Sequence, residues 1–301
     1  NDGNWPTKAL GPVDKVGATK ARIRNCQRWS QRAKNVNIAE QIPQQCTFPS
    51  ISRSFFKLVE MLAGVQLPAR GQTVHVAEAP GGFVQAAKWC LDTASQTMMT
   101  LKSDNVLVPN IPPELRELLF FGINDDGDVR NADNVDSLAA HVGPGSAVLV
   151  TADGGFDVGE QYDIQEQLSL QLIVGEAYCA LQCLAEGGLF VLKTFDMFTV
   201  STARIVYLLS CVFGGVFVVK PTMSRPCSSE RYVVCHTYNR AAGQRVAPLL
   251  RATLAAWQEG KAMWPAMELP DAFLQRLENI NGQLASTQCD CIKLAVSNRG
   301  Y

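Results

Sequence analysis

Residues 73–90 constrain the fold more than any other stretch. A short apolar run, Thr73-Val-His-Val-Ala77, leads into Glu78-Ala-Pro-Gly-Gly82 and then into a helical pattern over 83–90. A strand, a glycine-rich turn and a helix make the first half of a ligand-binding βαβ unit. Such a strand must be paired, and covered on both faces by apolar segments. The rest of the chain supplies them. Strand patterns recur at 96–101, 118–122, 147–151, 189–193, 216–220 and 231–235, and helical spacing at 52–67, 164–184 and 199–210. Gly187-Gly188 reads as the C-cap of the long central helix. The last two strands are separated by Pro221 to Glu230, only ten residues, too few for a crossover helix. They are therefore expected to pair antiparallel. The expected fold is α/β, a mostly parallel sheet with one antiparallel strand and helices on both faces.

Composition narrows the class. With 47% hydrophobic and 18% charged residues, the chain can bury a sizeable core, which excludes global disorder. A net charge of −1 excludes a uniformly basic nucleic-acid coat but leaves room for a local patch. Between Lys8 and Lys34, eight Lys and Arg face the single acid Asp14. The spacing of Arg24, Arg28 and Arg32 predicts three guanidinium groups on one helical face, either a phosphate-tracking arm or a solvated surface. No run of 18 apolar residues is present, so no membrane span is expected. Ten cysteines are few for this length. Cys179, Cys183, Cys211 and Cys235 lie in apolar runs, and none has zinc-finger spacing, so free thiols in a reducing, intracellular compartment are expected. A chain that opens on Asn1 reads as an excised or processed fragment. Three parts are expected: a basic N-terminal extension over 1–50, a central domain over 51–238, and a C-terminal extension over 239–301 packed on the core, with helical pieces at 247–259 and 272–280.

The chemistry is carried by four residues at the ends of elements. Lys57 lies on the helix before the first strand, Asp153 just past a buried strand, Lys193 at the end of the next, and Glu230 at the start of the last. Ligands of open α/β sheets bind at the carboxyl ends of the parallel strands. Two lysines and two carboxylates are therefore expected to converge there. Such a group suits activation of a weak nucleophile such as a ribose hydroxyl, whose proton must leave in the transition state. Burial and a second ammonium lower a lysine pKa while carboxylates raise it, so sequence leaves the sign open. Taken singly, each residue has a plain structural reading, a snorkelling lysine or a turn aspartate.

The turn Ala79-Pro80-Gly81-Gly82 lacks both the dinucleotide fingerprint and the phosphate loop's Lys-Ser/Thr. Glycines let backbone approach a ligand closely, which suits the amino-acid part of S-adenosylmethionine. Asn124-Asp-Asp-Gly-Asp128 offers carboxylates for an adenine amino group; it lacks the spaced ligands and final Glu of a calcium loop.

These pieces resemble a known family. Ser52-Arg-Ser-Phe-Phe-Lys57-Leu resembles the S-R-x-x-x-K-L opening of FtsJ-type RNA ribose-2′-O-methyltransferases, and Ala77-Glu-Ala-Pro-Gly-Gly-Phe83 their cofactor loop. Met99-Thr-Leu-Lys102, Gly127-Asp128, Thr151 to Asp157, Leu192 to Asp196 and Ser224 to Cys235 are similar to the branch that modifies the mRNA cap. The resemblance covers about 50–238. It implies a Rossmann-like methyltransferase sheet using S-adenosylmethionine and no metal, with Lys57, Asp153, Lys193 and Glu230 as a K-D-K-E tetrad and Lys193 as general base. It implies cofactor contacts from Ala79, Pro80, Gly81, Gly82, Phe83, Asp128 and Asp153. Arg24, Arg28, Arg32, Arg53, Arg225 and Ser228 are the RNA-binding candidates. Trp5, Trp29, Phe48, Trp257 and Trp264 are candidates to stack on a guanine cap. The implied substrate is capped RNA, with other capping or transcription proteins as partners. The implied location is the nucleus for a cellular enzyme and the cytoplasm for a viral one. The additional regions of animal nuclear cap enzymes do not fit within 301 residues. An enzyme of ribosomal or transfer RNA shares the tetrad and is the first alternative. A non-catalytic cofactor- and RNA-binding subunit is the second.

Overall fold

The computed structural model describes residues 9–24, 26–66, 70–102, 110–155, 164–261 and 267–297. Trp5, Lys8, Trp264 and the Phe156-Asp157 end of one motif lie outside them. Six strands form one sheet in the order β2-β1-β3-β4-β6-β5. They are β1 (Arg70–Val76), β2 (Asp92–Met99), β3 (Ala147–Ala152), β4 (Leu184–Phe195), β5 (Phe213–Val219) and β6 (Glu230–Tyr238). β1, β2, β3 and β4 pair in parallel, whereas β6 runs antiparallel to both β4 and β5. The short link after β5 thus produces the expected reversal.

The alternation of side chains decides what covers each face. Leu149, Leu189, Val191, Tyr232 and Val234 meet α4 (Ser54–Leu62) and α5 (Gly82–Cys90) through Phe55, Leu58, Met61, Phe83 and Ala86. Their neighbours Val150, Phe190, Leu192, Val233 and Cys235 point the other way, into a larger core. That core includes residues of α6 (Ala132–Val142), α7 (Gln165–Cys183), α8 (Val200–Val212) and α9 (Arg240–Gln258). The helices α6, α8 and α9 carry side-chain caps at their starts. Asn131 accepts from Asp133 N, Thr199 from Thr202 N, and Asn239 from Ala242 N.

The two ends of the chain meet. α1 (Val13–Arg24), α2 (Trp29–Asn35) and α10 (Asp271–Ser297) join through Ile23, Ala33, Ile292 and Ala295. α3 (Ile42–Gln45) is a single turn. Beneath these helices lies a buried ionic knot. Asp196 accepts from Lys20 Nζ at 2.7 Å and from Arg231 at 2.9 Å, and Arg231 also donates to Asn281 Oδ1 at 3.3 Å. Arg231 is only 2% exposed. Asn281 then donates to Leu10 O and Met197 O at 2.7 and 2.8 Å.

Several expectations are corrected. Residues 118–122 form no strand. Leu119 makes one isolated parallel bridge to Met98, preceded by a 3-10 turn over Pro113–Leu118. Gly187-Gly188 do not cap α7, which ends at Cys183; they lie inside β4, which starts at Leu184 and is therefore longer than the apolar run alone suggests. The helix expected over 52–67 shortens to α4, while the C-terminal pieces lengthen to α9 and α10. Arg24, Arg28 and Arg32 do not share a helix: α1 ends at Arg24, and Arg28 takes the left-handed φ of 56° before α2 begins. All ten cysteines are free, but Cys211 is exposed rather than buried with its apolar neighbours. No helix among the described residues is long and apolar enough to cross a membrane.

Candidate active site

Strand register puts the four tetrad positions level. Val76 pairs with Ala152 and Ala152 with Leu192, so the chain leaves β1 and β3 beside Lys193. Across the antiparallel pair Lys193 faces Tyr232, and Phe195 faces Glu230. Period-two alternation sends Lys193, Tyr232 and Glu230 toward α4, where Lys57 is buried.

The four side chains form two ion pairs joined by a phenol. Lys57 Nζ lies 2.7 Å from Glu230 Oε1, and Lys193 Nζ lies 3.2 Å from Asp153 Oδ1. Tyr232 donates its hydroxyl to Asp153 Oδ1 at 2.6 Å and accepts from Lys57 Nζ at 3.2 Å. Tyr232 was not among the residues singled out from sequence; its position two residues after Glu230 on one strand face is the signal that marks it. Gly155 leaves the approach to the amine open: a Cβ there would stand 3.3 Å from Lys193 Nζ and 3.1 Å from Phe195 Cζ.

Electrostatics now gives the sign that sequence left open. Burial alone would push Lys193 down, but Asp153, Glu230 and Glu176 outweigh it, and its pKa is raised. Burial pushes the Glu230 carboxyl up, yet the Lys57 and Lys193 ammonium groups win and hold it at about 2. Burial, then Asp153 and Glu230, push the Tyr232 phenol well above its usual value, so it stays a donor. Two further carboxyls, also missed from sequence, stand behind the tetrad. Glu78 and Glu176 are 2% and 0% exposed. Burial raises both well above the ordinary range, and the charge on Asp153 adds to it. Glu176 accepts from Gly154 N at 3.1 Å and so holds the turn carrying Asp153.

The glycine turn after β1 is shaped differently from the simple reading of an open path. A Cβ on Gly82 would overlap the hydroxyls of Ser52 and Ser54, and one on Gly81, at φ 111°, would overlap Leu115. The glycines admit protein neighbours, not only a ligand. Ala79 and Pro80 remain partly exposed. Phe83 is fully buried, and its N–H donates to Glu78 Oε1 at 2.6 Å. Glu78 Oε2 is buried with no partner among the described residues. The loop bearing Asp128 is tied to the end of β2 by Lys102 N donating to Asp126 O at 2.7 Å. Asp128 is clasped by Arg130, Oδ2 to Nη2 at 2.6 Å.

The basic candidates are spread out. Arg53 and Arg225 share one oxygen of Glu40, at 2.6 and 2.8 Å. Arg32 donates to Val296 O at 2.9 Å, at the end of α10, while Arg24 and Arg28 are exposed. Ser228 donates to Arg225 O at 2.9 Å. Beside the tetrad is a cavity of about 280 Å³ whose lining includes Trp29, Lys20, Arg225, Ser228, Phe195 and Glu230. Of the other aromatic candidates, Phe48 packs against Trp89 with ring centroids 4.5 Å apart and planes tilted by 55°, and Trp257 packs on the main core.

A six-stranded sheet with one reversed strand, carrying paired lysines and carboxylates at its edge, is the scaffold of a group-transfer enzyme. The family model described as FtsJ-like methyltransferase matches residues 50–238, and the chain belongs to that family. Methyltransferases of this family use S-adenosylmethionine. The chain is 33% identical over 232 residues to the zebrafish (Danio rerio) cap-specific mRNA (nucleoside-2′-O-)-methyltransferase 2, covering 69% of this chain and 30% of that protein. It is 37% identical over 171 residues to the mouse (Mus musculus) cap-specific mRNA (nucleoside-2′-O-)-methyltransferase 1, covering 53% and 20%. The methyltransferase 2 of Pongo abelii is 30% identical over 256 residues, covering 77% and 31%. The chain thus spans less than a third of the length of these relatives. The residues at the edge fit the cofactor: Glu78 Oε2, buried with no partner among the described residues and beside a glycine turn at the strand ends, is a polar atom that a polar ligand group would satisfy.

Proposed function

We propose that this chain transfers a methyl group from S-adenosylmethionine to the 2′-hydroxyl of a ribose near an mRNA cap. The observation that carries the reading is the tetrad itself, with Lys193 and Lys57 each paired to a carboxylate within 3.2 Å and bridged by Tyr232. The cofactor supplies an electrophilic methyl on a sulfonium, a leaving group that needs no further activation. Lys193 takes the proton from the ribose oxygen. Its ammonium form dominates in this structure, so the reactive neutral amine is the minority form, and any further positive charge in the site loosens its proton. Asp153 orients Lys193, and Glu176 holds the turn that presents Asp153. Lys57 and Glu230 hold the opposite side, and Gly155 keeps the amine accessible. Positioning the hydroxyl supplies much of the remaining acceleration. Ala79, Pro80, Gly81, Gly82, Phe83 and Asp128 line the cofactor side, with Asp128 sharing its carboxylate with Arg130.

Cap RNA is favoured over ribosomal or transfer RNA because the adjoining cavity places Trp29 and the partly exposed Arg225 beside Glu230. An aromatic ring with flanking charge suits a base and its phosphates. The relatives named for cap methylation point the same way. The test compares methyl transfer to one short RNA with and without a cap, with the product mapped by resistance of one linkage to alkaline cleavage. Cap-dependent 2′-O-methylation supports the reading. Equal transfer to the uncapped RNA overturns cap specificity, and no transfer to any RNA overturns the activity.

A further inference from the structure

A second cavity, of about 320 Å³, opens between the 36–39 segment, the link from β5 to β6, and α10. It shares Ser228 and Gln288 with the cavity beside the tetrad, so the two are neighbours along one path. Its size is at the lower end for pockets that hold small organic molecules.

Three side chains in its lining have unmet hydrogen bonds among the described residues: Asn37, Gln288 and Ser224, whose hydroxyl is buried at 3% exposure. Asn37 is 7% exposed, and its Oδ1 accepts from Ala39 N at 3.2 Å, which fixes the amide and leaves Nδ2 without a partner among the described residues. Gln288 is 3% exposed, and its Nε2 donates to Cys227 O at 3.3 Å, leaving Oε1 unpartnered. Both amide orientations are thus set by backbone neighbours. The cavity offers one amide donor, one amide acceptor and the Ser224 hydroxyl, each costly to leave buried and unmet.

The cations nearby are already committed. Lys220 Nζ donates to Ser228 O, Ser228 Oγ and Glu230 O, and burial lowers its pKa to about 7, so it brings little free positive charge to the cavity. Arg231 donates to Ser229 O, Asn281 and Asp196. An anion would therefore find no free charged donor there. The rest of the lining mixes apolar residues, including Ala39, Pro221 and Pro226, with the hydroxyl-bearing Thr222 and Thr287, and Ile38, 92% exposed, stands at its edge. A flat, neutral ring with an acceptor and a donor on one edge suits this mixture of apolar wall and neutral hydrogen-bonding groups. Each of the four RNA bases has such an edge.

We propose that this second cavity receives one unstacked nucleobase of the RNA, held by Asn37 Nδ2 and Gln288 Oε1 and covered by Ile38. The proposal rests on the reading of the chain as an RNA methyltransferase. Two contacts of this kind accept any base, so the site sets the register of the strand rather than its sequence.

The test uses a short capped RNA in which each nucleotide in turn is replaced by an abasic one, with binding read by fluorescence anisotropy. The parent protein should lose about tenfold in affinity at one position and little elsewhere. Asn37→Asp keeps an oxygen to cap Ala39 N and puts an acceptor where Nδ2 donated. Gln288→Met keeps length and neutrality but removes the acceptor. In each variant the abasic replacement at that position should cost nothing further, with melting temperature confirming the fold. The second variant gives the same reading if the first fails to fold. Identical abasic profiles in parent and folded variants overturn the proposal. If the parent still methylates that RNA, the catalytic reading survives; if it methylates no RNA, both fall.

Discussion

Two clusters of lysine and carboxylate lie in this molecule, and they differ in purpose despite similar chemistry. At the strand ends, Lys57–Glu230 and Lys193–Asp153 keep 11–17% of each side chain exposed beside a cavity and a glycine. Beneath the terminal helices, Lys20, Asp196 and Arg231 are exposed by 2–7% and lie at 2.7–2.9 Å. Both clusters satisfy their charges. The first leaves a titratable amine reachable from outside, and the second leaves nothing to react. Ion pairs alone therefore do not mark an active site. A proton reachable from outside does.

The comparison can be broken first at the knot. Asp196→Asn keeps the side-chain shape but leaves Lys20 and Arg231 as buried cations facing an amide. Removing one member of a buried ionic group costs about 3–5 kcal/mol, so chemical denaturation should show a loss of that size. A loss below about 1 kcal/mol would mean that the knot is no more structural than a surface pair. At the strand ends the same kind of change should act on rate instead. Lys193→Ala should keep folding and cofactor binding while single-turnover methyl transfer drops at least about a hundredfold, within the range of general-base contributions. Lys193→Arg should not restore it, since guanidinium does not lose its proton at working pH. Because the Lys193 pKa is raised, the neutral amine grows with pH, and the parent rate should climb about tenfold per unit between roughly pH 6.5 and 8.5. A flat profile, or an active arginine variant, would make Lys193 an electrostatic holder. The smallest effect concerns the bridge. Tyr232→Phe removes a donor from Asp153, so the carboxylate binds the Lys193 ammonium more tightly and its pKa rises further. Transfer should fall about fivefold, with the line of rate against pH parallel to the parent's between roughly pH 6.5 and 8.5, as expected of a shift of under one unit in a pKa that lies above that range. An unchanged rate would remove Tyr232 from the control of the Lys193 proton.

Much of the architecture was legible because it follows from local rules. Alternation and link lengths fix the strands, their order of reversal, and the meeting of Lys57, Asp153, Lys193 and Glu230 at one edge. Residues 118–122 misled because an apolar run is only a candidate strand; here it makes one bridge at the margin of the sheet. The Arg24, Arg28, Arg32 spacing misled because a single left-handed residue ends a helical face, and nothing in the basic run announces it. Tyr232, Glu78 and Glu176 were not singled out because their roles depend on burial and on partners far along the chain. Gly82 shows the same limit. Its lack of a side chain was visible, but whether the space belongs to a ligand or to Ser52 and Ser54 is a tertiary fact.

Asn281 has a consequence for synthesis on the ribosome. Its one amide touches Leu10 O, Met197 O and Arg231, partners that emerge long before it does. While α10 is still unmade, the nascent sheet must wait with Arg231 and the N-terminal segment incompletely tied. Domains generally fold as units as they emerge, and exposed intermediates are prone to aggregate. In this chain the late arrival of α10 becomes a timing step. Ribosome-stalled chains released before residue 281 should remain protease-sensitive near Leu10, and those carrying all of α10 should become resistant.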